Sequence, residues 1–342
     1  MVEPAPGLRF VFAPELGPLS ALMRATWDEP CLVYDEDVLK LHLCRPTADR
    51  SLSLAQCDRD GTPVTFHAFL PFQIEYAGRA WKAVFASFLT VARGQQRRGI
   101  VAPMQKALLE RATERGHELY LVMCEVGAPS NEAIRRVFAD RAGHFQLIHV
   151  FGYLMALASL LGPVVPAKSR GRTKRLAATD PLPPLDLIAR LGHGLPLRKV
   201  VDPRDVAFVF RDRPHTSTFV FETRHGVGAL ANLLVLNATD GGVTRRNAYF
   251  DSLTFGDLTE QEREEFLGDV LLALLQTDIH SIFAPATGWV PPHVFRKFRF
   301  RLAPPAAESV RSSARPAPVH RRHPSGGRVL PGCLLIRCPA TA

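Results

Sequence analysis

Two apolar patterns of different period flank a short basic turn near residue 100. Before the turn, the run from Val84 to Val91 is β-branched and aromatic, which predicts a buried strand. After it, apolar side chains recur every four residues from Ile100 to Ala112, which predicts a helix that buries one stripe. The turn, Gln96 to Val101, holds two arginines and a glycine. Because the first N–H groups of a helix lack partners and carry the positive end of its dipole, this turn is a candidate anion site.

Strand-like and helix-like segments alternate through the first half of the chain, which predicts a mixed α/β architecture. The predicted strands are Leu8–Phe12, Ser51–Cys57, Val64–Tyr76, the run that ends at Val91, Glu118–Val126 and Phe145–Val150. The predicted helices are Leu19–Thr26, the helix that ends near Arg115, Asn131–Asp140 and a short buried helix at Tyr153–Leu161.

The second half repeats features of the first at an offset of 168 residues. Asp37-Val38 followed by Arg45-Pro46 matches Asp205-Val206 followed by Arg213-Pro214 in spacing. A helix over Glu260–Leu275 is predicted, with Thr259 and Glu262 as its capping box. An internal repeat of the whole unit is the simplest explanation.

The net charge of +9 is concentrated in two segments. Residues 163–179 contain five basic residues and no acidic one, and residues 304–342 contain six arginines and one glutamate. The rest is therefore nearly neutral, which argues against specific nucleic-acid binding. We expect a first unit over residues 6–162, a basic Pro-rich linker over 163–184, a second unit over 185–303 and a disordered basic tail over 304–342.

Composition fits a soluble globular protein, with 46% hydrophobic and 22% charged residues. The N-terminus lacks a basic segment followed by an apolar one, so no secretory signal is expected and we expect a cytoplasmic protein. The uncharged stretch 147–167 is interrupted by Gly162-Pro163 and Pro166, so no membrane span is expected. The cysteines and histidines lack metal-ligand spacing, so no metal site is expected.

Two motifs of the first half resemble the GCN5-related N-acetyltransferase superfamily. Gln96-x-x-Gly99-x-Val101 resembles its acyl-CoA pyrophosphate loop, on the expected strand, turn and helix. Residues 131–138 with Gly143 and Phe145 resemble the segment that follows its splayed strand. The resemblance covers about residues 8–155 and implies two mixed, mostly antiparallel sheets flanked by helices, a tandem arrangement with a degenerate second copy.

The resemblance also implies an acyl-CoA co-substrate, with acetyl-CoA as the expected donor. Backbone groups of Leu89 and Val91 would bind the pantetheine arm, and Asn131 would contact it further along. The loop residues expected to bind the pyrophosphate are Gln96, Arg97, Arg98, Gly99, Ile100 and Val101. The second copy has acidic residues at the corresponding place, residues 255–262, so we expect acyl-CoA to bind only the first copy.

The chemistry of acyl transfer requires a base for the amine and a proton for the leaving thiolate. Glu125, near a strand end, is the first candidate base and Glu75 is the second. Phe138 stands where many members of the superfamily have a proton-donating tyrosine, so Tyr153 and Tyr120 are the candidate donors.

These residues predict an N-acyltransferase that transfers an acyl group, expected to be acetyl, to the amine of a small molecule. Two alternatives stay open. One is a non-catalytic acyl-CoA sensor or scaffold, which Phe138 favours. The other is a transferase that uses an aminoacyl-tRNA, with the basic linker in contact with the nucleic acid.

Overall fold

A computed structural model describes residues 2–76, 78–124, 145–150, 153–183, 188, 197–211, 213–285, 292–302 and 332–337. The candidate residues Glu125, Asn131 and Phe138, and the helix predicted over Asn131–Asp140, lie outside these ranges.

Two eight-stranded sheets form the framework. The first has the order β1 (Arg9–Phe12), β3 (Ser53–Cys57), β4 (Pro63–Tyr76), β5 (Arg79–Val91), β6 (Leu119–Cys124), β16 (Gly332–Arg337) and β7 (Phe145–Val150), with β10 (Leu197–Val200) paired to β4. The second has the order β15 (Arg301–Leu302), β8 (Tyr153–Leu157), β14 (Ile279–Pro285), β13 (Val243–Phe255), β12 (Gly226–Asp240), β11 (Thr216–Thr223) and β9 (Thr173–Arg175), with β2 (Cys31–Leu32) paired to β12. Among the described strands, only β5–β6 and β13–β14 pair in parallel. The predicted fold class is confirmed: two mixed, mostly antiparallel sheets flanked by helices.

Six α-helices cover these sheets in the described part of the chain. They are α1 (Leu16–Thr26), α2 (Glu36–Leu43), α3 (Val101–Glu114), α4 (Pro203–Phe210), α5 (Glu260–Leu275) and α6 (Pro292–Lys297). In the first sheet, Phe66 and Ala68 pack with α1 and α2, whereas Phe69 packs with α3. Since side chains alternate along a strand, α3 lies on the opposite face from α1 and α2.

The internal repeat is confirmed by the order of the elements. The series α2, β3, β4, β5, α3, β6 has the same arrangement as α4, β11, β12, β13, α5, β14, including the single parallel pair at its end. Both series open on an aspartate cap: Asp35 accepts from the backbone N–H of Val38 at 2.9 Å, and Asp202 accepts from that of Arg204 at 2.9 Å.

The strands are exchanged between the two halves of the sequence. β2 and β8, which belong to the first half, lie in the second sheet, while β10 and β16 lie in the first sheet. Strand pairing therefore crosses the boundary between the ranges 6–162 and 185–303. The short helix predicted over Tyr153–Leu161 is wrong: residues 153–157 form strand β8, which lies between β14 and β15.

Both basic segments contain regular structure that the sequence does not predict. In the linker, β9 pairs with β11, and Arg172 contacts Glu262 at 3.0 Å and Glu265 at 2.9 Å on α5. The charge of Arg172 is thus neutralised by carboxylates of α5 rather than by solvent. In the tail predicted to be disordered, residues 332–337 form β16 between β6 and β7. An apolar strand can fill a gap between two edges, and this distant pairing outweighs the polar composition around it.

No helix in the described ranges is long and apolar enough to cross a membrane. Within the same ranges, no three histidine, cysteine, aspartate or glutamate side chains form a group that could hold a metal ion.

Candidate functional site

The basic turn between β5 and α3 exposes its backbone at the start of the helix. Gln96, Arg97, Arg98 and Gly99 are exposed, whereas Ile100 is buried beneath them. Arg97 has a φ of 62° and Gly99 a φ of 73°, so two residues of the turn adopt the left-handed conformation. Left-handed residues in a turn can direct neighbouring N–H groups toward an anion.

The helix start keeps these N–H groups open. No side chain caps α3, and its first turn contains no acidic residue. A Cβ at Gly99 would meet no heavy atom within 4 Å, so the space in front of the turn is open. In contrast, α5 has a complete capping box from Thr259 and Glu262, with Glu260 also in its first turn. The prediction that the second copy satisfies its own helix start is confirmed, and of α3 and α5 only α3 has the open start that a pyrophosphate requires.

Upstream of the turn, β5 contains a β-bulge at Phe88 and Leu89. Phe66 pairs with Thr90 and Ala68 pairs with Ser87, so two residues of β5 face the single residue His67 of β4. Phe88 adopts a φ of 61°, a left-handed conformation that costs a non-glycine residue about 1–2 kcal/mol. Strain of this kind is typical of functional sites, where it aims backbone groups at a ligand.

The first sheet opens beside the bulge. β5 pairs with β6 only over residues 83–86, and among the described residues Ser87 to Val91 have no partner on the β6 side. Within the described ranges, the backbone of Leu89 and Val91 therefore lies on an unpaired strand edge that runs toward the turn at Gln96. An extended ligand can bind there as an added strand.

An aromatic cluster surrounds Phe88 on the face that carries α1 and α2. The ring of Phe88 lies 5.2 Å from that of Tyr34 and 5.5 Å from that of His42. Trp27 lies 5.3 Å from Tyr34, and its indole N–H donates to the Thr90 hydroxyl at 3.1 Å. Burial raises the pKa of Tyr34 to about 12, so its phenol keeps its proton at neutral pH.

A cavity of about 700 Å³ lies between the two sheets. Its walls come from β4, β5 and β10 of the first sheet and from β12, β13 and β14 of the second. His42 lies near both features, because its ring contacts Phe88 at the bulge and the charges of three cavity-lining residues act on its pKa. Burial lowers the pKa of His42 to about 4; Asp251 opposes this change, whereas Arg45 and Lys199 add to it.

The candidate catalytic residues lie in different places. Glu75 pairs with Ala80 at the far end of the β4–β5 hairpin. Ala80 is eight residues before Phe88 on β5, so Glu75 lies roughly 26 Å from the bulge along the strand. The structure does not bring Glu75 to the bulge. Tyr153 is on β8 of the second sheet, where burial and then the charge of Asp251 raise its pKa. Tyr120 is fully buried against α3.

Three residues of the site are not marked by the sequence pattern. Tyr34 lies just before α2 and His42 lies within it, in a polar pattern typical of an ordinary surface helix, and Asp251 is a single carboxylate within a strand. The signal for His42 is its place inside the repeated motif, between Asp37 and Arg45, and Tyr34 lies just before that motif.

No protein-family model and no curated protein matches this sequence. Solved structures with the same fold do exist. Saccharomyces cerevisiae N-myristoyltransferase with bound myristoyl-CoA superimposes with a TM-score of 0.74 at 11% identity, over 98% of this chain and 85% of the other. A second structure of that enzyme with myristoyl-CoA gives 0.73 at 11% identity, over 97% and 78% of the two chains. A third, with myristoyl-CoA and inhibitors, gives 0.73 at 11% identity, over 97% and 80%. At this identity the similarity establishes the shared fold.

Proposed function

We propose that this protein is an acyl-CoA-dependent N-acyltransferase. The observation that carries the proposal is the continuity of three features along β5: a strained bulge at Phe88, a strand edge beyond it that has no partner among the described residues, and an uncapped basic turn at residues 96–101. A thioester, a pantetheine arm and a pyrophosphate occur in this order in acyl-CoA. Each feature has the chemistry that the corresponding part of the ligand needs.

The pyrophosphate would bind the backbone N–H groups of the turn. Arg97 adds charge there and makes no ion pair with any described residue, whereas Arg98 donates to the Gln95 side chain at 2.6 Å. Gly99 leaves room for close approach of a phosphate oxygen.

The donor that we favour is a long-chain acyl-CoA. The aromatic cluster next to the bulge offers apolar surface for an alkyl chain, and the solved structures that share the fold hold myristoyl-CoA. Acetyl-CoA, the donor expected from the sequence resemblance, is the short-chain alternative. A chain that buries apolar surface gains about 0.8 kcal/mol for each methylene removed from water, so affinity distinguishes the two.

The bulge would stabilise the transition state of acyl transfer. The amine nitrogen forms a bond to the thioester carbon, negative charge gathers on the carbonyl oxygen, and the carbon–sulfur bond then breaks. CoA leaves as a thiolate that takes up a proton, and the nitrogen loses one. A backbone N–H at Phe88 or Leu89 that is excluded from the ladder would donate to the oxyanion.

The leaving thiolate needs an acid that stays protonated at neutral pH. Tyr34 fits this role, since its pKa is about 12 and its ring contacts Phe88. Tyr153 also keeps its proton, because burial raises its pKa, and it is the second candidate.

The acceptor amine would bind in the cavity between the sheets. This cavity is large enough for a small-molecule acceptor, and His42, which contacts Phe88 at the bulge, lies within reach of the charges that line it. It is lined by charged residues from both walls, which an amine with polar substituents can use.

Equilibrium binding and turnover together test the proposal. Isothermal titration calorimetry with acetyl-, octanoyl- and myristoyl-CoA should show binding that strengthens with chain length. Release of free thiol should then require an added primary amine. Absence of binding to all three ligands would refute the proposal and leave the aminoacyl-tRNA alternative. Binding without thiol release across a panel of amines would indicate a sensor instead.

A further inference from the structure

The second sheet contains a bulge at the place that corresponds to the bulge of the first. Asn232 pairs with Ser252 and Leu233 pairs with Phe250, so Asp251 of β13 is the extra residue of the ladder. In the repeat, β13 is the counterpart of β5, whose bulge carries Phe88. The equivalent bulge therefore carries the aromatic ring of Phe88 in the first copy and the carboxylate of Asp251 in the second.

Asp251 lines the cavity and is exposed to it. Its charge raises the pKa of His42, of Tyr153 and of Lys199, so its carboxylate lies within electrostatic reach of all three. In the described part of the chain it belongs to no salt bridge. A carboxylate in this setting is a binding site for a cation.

Most other charges of the cavity neutralise one another. Among the lining residues, Arg115 pairs with Asp49, Arg204 pairs with Asp202 at 2.8 Å, and Arg45 pairs with Asp205 at 3.7 Å. Within the described ranges this leaves Asp251, Lys199 and Lys82 as charged lining groups without an ion-pair partner.

Lys199 comes from the opposite wall. It lies on β10, where its register partner is Ile74 of β4, and it is exposed to the cavity. Enclosure by the protein lowers its pKa, and the neighbouring Arg45 adds to this effect while Asp251 opposes it. An anion bound at Lys199 would relieve the repulsion between these two cations.

We propose that the cavity binds an acceptor that carries both an amine and an anionic group, with Asp251 bound to the ammonium and Lys199 bound to the anion. This inference rests on the proposed N-acyltransferase function. A simple alkylamine would leave Lys199 without a counterion, and a plain anion would leave Asp251 without one. A zwitterion satisfies both walls at once.

Binding of zwitterions and of their amides to the full-length protein tests the inference. Glycine, diglycine and triglycine place an ammonium and a carboxylate at three separations, and their C-terminal amides keep only the ammonium. By calorimetry at pH 7, at least one carboxylate form should bind about tenfold more tightly than its amide. In Lys199→Met this preference should vanish while the amide binds as before. In Asp251→Asn the carboxylate compound and its amide should both bind at least about tenfold more weakly.

The matched controls are Lys168→Met and Asp240→Asn, two exposed residues that do not line the cavity. Both should keep the wild-type preference. Equal binding of carboxylate and amide at all three lengths, no binding of any of the six compounds, or a preference that persists in Lys199→Met would overturn the inference. Myristoyl-CoA binding, measured on the same protein, reports separately on the proposed function: its presence without zwitterion preference overturns the acceptor inference alone.

Discussion

Arg45 and Asp205 join the two copies of the internal repeat, with the Arg45 Nε atom 3.7 Å from the Asp205 Oδ2 atom. Arg45 closes the repeated motif in the first copy and Asp205 opens it in the second. Thr47 strengthens the contact, since its backbone N–H donates to Asp205 Oδ1 at 3.0 Å. Arg45 also donates to the carbonyl of Pro71 on β4, so the contact is anchored in the first sheet.

We expect Asp205→Ala to lower the free energy of unfolding by about 3 kcal/mol, because it leaves the nearly buried Arg45 without its counterion. Urea denaturation measures this change. Asp37→Ala removes the aspartate at the same position of the other copy, whose pair with Lys40 is exposed, and should cost less than about 0.5 kcal/mol. Equal losses in both variants would mean that the contact between copies adds no stability.

Gly99→Ala should weaken myristoyl-CoA binding by about tenfold or more, because a Cβ would project into the space in front of the turn. Gly116 is the matched control, since it has a φ of 75° against 73° at Gly99 and also faces open space. Both variants should lose about 1 kcal/mol of stability from the left-handed backbone, whereas only Gly99→Ala should lose affinity. Calorimetry and thermal unfolding separate the two effects; a parallel loss of affinity in Gly116→Ala would contradict the phosphate role of the turn.

Tyr34→Phe should lower kcat by 10² or more, with the KM for acyl-CoA nearly unchanged, since it removes the acid closest to the bulge while keeping the ring. Tyr153→Phe should keep kcat within about threefold of wild type. Steady-state thiol release measures both. If Tyr153→Phe shows the large loss and Tyr34→Phe does not, the proton donor is on the second sheet.

Acid should destabilise the protein through His67, which is fully buried in β4 opposite the bulge. Burial lowers the pKa of His67 to about 3 from an ordinary value of 6.5. Between these two values the unfolded chain binds one proton that the folded chain does not, so stability falls as pH decreases, by about 1.4 kcal/mol per pH unit.

Urea denaturation between pH 6.5 and pH 4 measures this dependence. In His67→Gln the slope of the unfolding free energy against pH should fall by the contribution of one proton, about 1.4 kcal/mol per pH unit. His225→Gln, at an exposed position, should keep the wild-type slope. An unchanged slope in His67→Gln would show that the histidine is protonated in the folded protein.

The features that the sequence predicts are those that local patterns encode. The strand before Val91, the turn at Gly99 and the helix after it are adjacent in the chain, and their periodicity reports directly on which side is buried. The repeat is detected because Asp37 and Asp205 recur with the same local context.

The features that the sequence does not predict depend on pairing between residues that are distant in the chain. The bulge at Asp251 is a matter of register between β12 and β13, and no residue type marks it. The exchange of β8 and β10 between the sheets is decided by which edges are open in the folded protein. Composition alone suggests a disordered tail at residues 332–337, since the partners of that strand are more than 180 residues away.

The position of β16 has a consequence for synthesis of the protein. Its strand lies between β6 and β7, so the first sheet, although encoded mostly by the first half of the gene, cannot close until residues 332–337 have left the ribosome. Until then the edges of β6 and β7 face each other across a gap of one strand and are open to other chains. Translation of the second half therefore determines how long the nascent first half is exposed to aggregation, and a truncated transcript yields an incomplete first sheet rather than a shorter folded protein.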